Sequence, residues 1–256
     1  MTSSLLCAIV DDSRSRFYVH NPSLQRLQEP RSKTYNSGRH TILRVSEFIF
    51  QDRRQAGRVL GNLVAALPDL AGAVVLGLVR GGVPVAFEVA RKCRLPLDIL
   101  VVRKLGVPGQ PELAMGAIAS GGGVVLNESI IRSCRVSENK LENVVAREML
   151  ELKRREALYR EGRAPLDIAG RVVVLVDDGL ATGASMRAAI RAVKSRARRL
   201  IVAVPVGAKS ICSELALEAD EVVCALVPEP LDAVSLFYQE FGQTSEDEVK
   251  GLLASS

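Results

Sequence analysis

"VVLVDDGLATGAS", Val173 to Ser185, is an apolar run that ends in two adjacent aspartates and passes into a loop of small and hydroxyl-bearing residues. A strand that merely finishes at the surface needs none of this. Residues 172–177 read as a buried strand, and the apolar spacing after Ala184 predicts a helix over 184–197. The loop between them therefore sits at the carboxyl end of a strand, where open α/β sheets hold their ligands. Backbone N–H groups at a helix start are unsatisfied and carry partial positive charge, so they suit a phosphate. Gly179 and Gly183 allow close backbone approach, and the Thr182 and Ser185 hydroxyls add donors. Asp177 and Asp178 would repel a phosphate, but they are good acceptors for a vicinal diol. A phosphate on one side and a diol on the other describe a ribose 5-phosphate.

Two other phosphate loops do not fit. A nucleotide-triphosphate loop needs a lysine after its second glycine, and Ala184 stands there; a dinucleotide fingerprint needs GxGxxG, and this is GxxxG. A plain strand–turn–helix with Ser185 or Thr182 as N-cap would account for the hydroxyls. It would not account for paired aspartates.

Outward from this loop, strands and helices alternate. "DRRQAGRVLGNLVAAL" (52–67) has helical spacing; "AVVLGLV" (73–79) reads as a buried strand; "RGG" follows, then a helix over 83–93 with Pro84 in its first turn. "LDILVV" (97–102) reads as a second strand. The Gly- and Pro-rich segment 103–123 reads as a long loop, too long for a simple connector. A charged helix capped by Ser137 is expected over 137–163, with Leu141, Val144, Val145, Met149, Leu152 and Leu158 on one face. Further strands are expected at 200–206 and 221–227, with a helix at 209–218 between them. Such alternation implies a parallel sheet covered on both faces.

Composition narrows the function classes. The chain has 256 residues, enough for a sizeable core, and with 4% aromatic residues and no tryptophan a base-stacking nucleic-acid surface is not expected. Cys7, Cys93, Cys134, Cys212 and Cys224 are scattered, and His20 and His40 are the sole histidines, so no zinc ligand set is apparent. Reduced thiols and a cytoplasmic location are the plain reading. The start lacks a signal-peptide pattern, and no apolar run approaches membrane-span length. Residues 1–45 carry seven basic and three acidic residues, whereas the remainder carries 27 and 26. The basicity thus belongs to an irregular N-terminal stretch, read as a weakly ordered arm ahead of one domain over 46–256. Arg187, Arg191, Lys194 and Arg198 form a basic stripe on one helix face, read as solvated rather than nucleic-acid-binding.

The loop resembles the signature with which type I phosphoribosyltransferases bind 5-phosphoribosyl 1-diphosphate (PRPP): apolar strand, two acidic residues, then xxxTGx(S/T). The likeness extends over roughly residues 50–250. "LVRGGVPVA", "LDILVVRKLGVPGQPELAMGA" and "EVVCALVPEPLDAVSLFYQEF" are similar to a group of predicted bacterial phosphoribosyltransferases with no assigned substrate.

The resemblance implies an α/β fold with a flavodoxin-like parallel sheet flanked by helices, a small hood and a flexible loop. It implies phosphoribosyl transfer from PRPP to a nucleobase or related small-molecule acceptor, with Mg²⁺ as cofactor and a homodimer as one expected form. Ala181, Thr182, Gly183, Ala184 and Ser185 would take the 5-phosphate; Asp177 and Asp178 would take the ribose, meeting Mg²⁺ only through the ligand. Arg80, Gly81 and Gly82, with Arg103 and Lys104, would face pyrophosphate, and the Val79–Arg80 peptide is expected to be cis. Phe237 and Tyr238 would hood the acceptor. Adenine-type relatives carry a glutamate in the flexible loop, and Glu112 is the candidate for that role here. The absence of a carboxylate in "GAIASGG" leaves a second reading open, a non-catalytic PRPP sensor. Asp178→Asn is expected to weaken Mg²⁺–PRPP binding with little effect on stability.

Overall fold

The computed structural model describes residues 6–10, 16–20 and 49–256. Among these residues the main sheet has seven strands. Five are parallel and carry the site: β3 (Val74–Leu78), β4 (Leu97–Leu100), β8 (Val172–Val176), β9 (Arg199–Val206) and β10 (Glu221–Leu226). β1 (Leu6–Val10) and β2 (Arg16–His20) extend the β10 edge, giving the order β1-β2-β10-β9-β8-β3-β4. β2 runs parallel to β10 and β1 antiparallel to β2. The rest of the stretch read as an N-terminal arm lies outside the described residues.

The five parallel strands follow the flavodoxin-like order, in which the chain winds outward one way from β3 to β4 and the other way from β8. The switch point falls between β3 and β8, which are hydrogen-bonded neighbours (Val74 opposite Val173). Strand residues alternate between two cores, as the two-residue period of a strand requires. Val75, Ile99, Val174, Val176 and Ile201 face one core; Val74, Leu76, Val173, Leu175 and Val202 face the other. Both faces are covered, which is why these strands read as unbroken apolar runs.

α1 (Arg53–Ala65) and α2 (Gly82–Cys93) pack together on the first face. Gly57 makes the close approach necessary: a Cβ there would lie 2.7 Å from the Val85 carbonyl oxygen and 2.8 Å from Glu88 Cβ. The buried Glu88 carboxylate of α2 ties the pair through Arg54 of α1 (3.3 Å), and Arg91 of its own helix also pairs with it (2.6 Å). α5 (Ala184–Val193) and α6 (Lys209–Ala216) cover the other face. α3 (Glu128–Ser133) and α7 (Glu246–Ala254) are short helices with no counterpart in the sequence reading. α4 (Glu138–Arg160) matches the expected charged helix, although the Ser137 side chain makes no capping hydrogen bond.

The segment read as a long loop is a correction. It forms a three-stranded antiparallel sheet of β5 (Val102–Val107), β6 (Gln110–Ala119) and β7 (Gly123–Leu126), packed against α5 and α4. Its glycines mislead because they serve strand geometry. Gly109 and Gly121 supply positive φ at the two hairpin turns, and a Cβ on Gly116 would collide with the Val125 carbonyl.

Because Gly57 sets the α1–α2 separation, Gly57→Leu is expected to cost about 1–3 kcal/mol by overpacking. Urea denaturation of the variant against the parent chain checks this.

Candidate active site

β8 is buried along its whole length and ends at Val176, just before Asp177. Beyond it the chain is steered by the next strand: Leu180 N–H donates to the Val206 carbonyl at 2.9 Å, and Ala208 N–H donates to the Leu180 carbonyl at 3.0 Å. The loop then turns at Gly183, whose φ of 71° suits glycine, and enters α5. A cavity of about 190 Å³ opens here, lined by Asp177, by residues 179–186 and by Val234 from the C-terminal strap, residues 227–245 between β10 and α7.

The cavity has the makings of an anion site. Gly183 is the N-cap of α5 and offers no side-chain acceptor, so the first-turn amides keep their donors free. The Thr182 and Ser185 side chains are not fully buried, and neither residue is the N-cap, which removes the plain capping account of these hydroxyls.

The "RGG" turn after β3 lies directly against the aspartates. A Cβ on Gly81 would overlap Asp178 Oδ2 and lie 2.8 Å from its Cγ; one on Gly82 would lie 2.7 Å from the Val176 carbonyl oxygen and 2.9 Å from Asp177 Cα. Both positions therefore require glycine for close approach. The Val79–Arg80 peptide is cis, as the resemblance implies. Arg80 is half-buried, and its guanidinium makes no hydrogen bond or ion pair among the described residues.

The two carboxylates are differently placed. Asp177 lines the cavity, and its Oδ1 accepts from Asp178 N–H at 2.9 Å. Asp178 turns away toward Gly81 and accepts from Arg53 Nε at 2.8 Å. Burial, and then the neighbouring Asp178 charge, hold the Asp177 carboxyl well above its ordinary range. Burial also raises Asp178, against the pull of Arg53. The ion pair corrects one expectation: Asp178→Asn would strand a partly buried guanidinium, so it is not a clean probe of ligand binding.

The remaining predicted residues divide. Arg103 on β5 is paired with Glu148 of α4 at 2.5 Å, and Lys104 is bonded to the Glu112 carbonyl, with the Glu112 carboxylate 3.8 Å away. Glu112 is fully exposed. None of the three bonds to either aspartate. Phe237 is half-buried in a 3-10 turn over Val234–Phe237. Tyr238 is a buried strut rather than an open stacking face. Its ring packs 5.5 Å from Phe50 and 4.7 Å from Phe241 between centroids, and its hydroxyl donates to the Asp178 carbonyl at 2.6 Å. In the basic stripe, Arg187 pairs with Glu214 and Glu218, and Arg191 and Lys194 bond to backbone carbonyls. Arg53 was missed, because its partner lies 125 residues away and no local pattern marks the contact.

The cavity and the two aspartates thus lie together at the switch point of a doubly wound sheet. Residues 47–230 match the phosphoribosyl transferase domain model, and the chain belongs to that family. Two strains of Mycobacterium tuberculosis carry proteins provisionally named phosphoribosyl transferases, each 47% identical over 206 residues. The match covers 80% of this chain and 46% of those proteins, so the chain spans less than half their length. The crystal structure of TT1426 from Thermus thermophilus is 44% identical, with a TM-score of 0.69 over 81% of this chain and 98% of that one. No helix among the described residues is long and apolar enough to cross a membrane.

Asp177→Asn is expected to stabilise the protein at neutral pH while removing an acceptor from the cavity. Below the ordinary carboxylate range both folded and unfolded chains hold the proton, so the variant gains nothing there. As pH rises through that range the unfolded chain releases its proton while the fold resists, and stability falls. The Tm difference between variant and parent should therefore grow from acid to neutral pH. A difference independent of pH would contradict this.

Proposed function

We propose that the chain binds PRPP and transfers its phosphoribosyl group to a nucleobase or related small acceptor, releasing pyrophosphate. One observation carries the reading: the "RGG" backbone and the Asp177–Asp178 pair are packed so tightly that a side chain at Gly81 or Gly82 would destroy the arrangement. The free amides of α5, with Thr182 and Ser185, take the 5-phosphate, and Ala181, Gly183 and Ala184 keep the loop narrow. Asp177 accepts from the ribose diol with Asp178 beside it. Gly81, Gly82 and the unpaired Arg80 face the diphosphate.

The C1–oxygen bond to pyrophosphate breaks, a bond from C1 to the acceptor nitrogen forms, and the acceptor loses its proton. The carboxylates favour positive character on the ring, and Arg80 stabilises the departing anion. Among the described residues no group of three or more His, Cys, Asp or Glu side chains could hold a metal ion. Asp177 and Asp178 are the carboxylates that would face Mg²⁺ carried in with PRPP, and the ion would supply counter-charge to the leaving group. Arg103 and Lys104 join the diphosphate site if their pairs with Glu148 and Glu112 open. Phe237 is the hood residue left to cover an acceptor. A cytoplasmic location and a homodimer accord with this reading.

One observation favours a second reading, a PRPP sensor without turnover. Glu112, the candidate acceptor carboxylate, is fully exposed and turned to Lys104. Pyrophosphate release from Mg²⁺–PRPP, measured with each nucleobase in turn and with none, separates the two. Release with one base is expected. PRPP binding without release across the panel would favour the sensor, and no PRPP binding would overturn both.

A further inference from the structure

Arg53 lies outside every motif read from the sequence, yet separate parts of the site meet on it. Its Nε donates to Asp178 Oδ2 at 2.8 Å, and its Nη1 donates to the Gly242 carbonyl at 2.7 Å. Its guanidinium carbon lies 3.9 Å from the centre of the Phe241 ring. A Cβ on Gly81 would lie 3.3 Å from Arg53 Nε, so the "RGG" backbone forms a further wall. The side chain is 13% exposed, which shields the pair from solvent and salt.

We propose that Arg53 is the positioning residue of the ribose site, fixing the Asp178 carboxylate against the Gly81–Gly82 backbone and anchoring the C-terminal strap beside it. This rests on the PRPP-binding reading above. Asp177 and Asp178 are adjacent like charges, and a carboxylate without a counter-charge is free to turn toward water and away from its neighbour. The guanidinium blocks that motion on one side while the Tyr238 hydroxyl holds the Asp178 carbonyl on another.

Arg53 is itself well placed. It occupies the first turn of α1, whose N-cap Asp52 accepts from Gln55 N–H at 2.7 Å. Just ahead of that cap, Phe50 N–H donates to the Phe237 carbonyl and Gln239 N–H to the Phe50 carbonyl, both at 2.8 Å. The helix start and the strap are thus joined by backbone, and Arg53 connects that joint to the acidic loop. A planar fork can serve Asp178, Gly242 and the Phe241 face together. A lysine ammonium keeps the charge but not the fork.

The test compares Mg²⁺–PRPP with inorganic phosphate as probes, since phosphate needs only the α5 amides and loop hydroxyls. Arg53→Gln is expected to weaken Mg²⁺–PRPP binding by about 10–100-fold, as loss of a partner that orients a binding group does. Its affinity for inorganic phosphate should be unchanged, and Arg53→Lys should recover part of the loss. Equal loss for both probes would mean general damage to the fold and overturn the proposal, as would unchanged Mg²⁺–PRPP affinity. Should Arg53→Gln fail to fold, Arg53→Lys decides alone: a selective loss supports the proposal and wild-type affinity overturns it. A parent protein without affinity for Mg²⁺–PRPP would overturn the underlying reading, a result distinct from binding that Arg53 does not influence.

Discussion

The Asp178 carboxylate lies under the bare backbone of Gly81, with the Arg53 guanidinium on the same oxygen, and the rest of the site is arranged around that contact. The sheet makes it available. β3 and β8 are parallel neighbours, so their carboxyl ends deliver "RGG" and the two aspartates to the same place. The switch in winding direction leaves the space above them clear of crossing connections. Had β4 lain between β3 and β8, the two motifs would follow strands that are not neighbours and no shared site would form.

This arrangement runs against folding stability. Two adjacent carboxylates are held in a partly buried position, with one guanidinium to balance them. Arg80 is half-buried without an acceptor among the described residues, and the start of α5 goes without a side-chain cap. The paired carboxylates and Arg80 break a rule that other buried charges among the described residues obey. Elsewhere buried charge is matched: Asp98 is held by Arg160 and by Leu166 N–H, and Glu88 by a group of arginines. On the proposed reading, a ligand supplies the partners that these groups lack.

The parallel sheet was legible in the sequence because its signals are local. Unbroken apolar runs such as Val172–Val176 state burial on both faces, and the hydroxyl-rich turn after Asp178 announces a helix start. The antiparallel sheet over β5–β7 was not legible, since glycines required at hairpin turns and at the Gly116–Val125 contact look like loop composition. Tyr238 presented a different difficulty. Clustered aromatics fit packing and stacking alike, and the contact with the Asp178 carbonyl that decides the matter spans 60 residues. Arg53 belongs to the same class, for nothing in "DRRQAG" distinguishes a site residue from a solvated helix cation. Long-range pairing, not local pattern, completes the acidic loop.

The most direct measurement is a crystal structure of the protein with ribose 5-phosphate and Mg²⁺. The account predicts the phosphate on the Ala184 and Ser185 amides at the start of α5, with the ribose hydroxyls turned to Asp177. Sugar phosphate bound elsewhere, or bound in this cavity with its hydroxyls away from the aspartates, would contradict it.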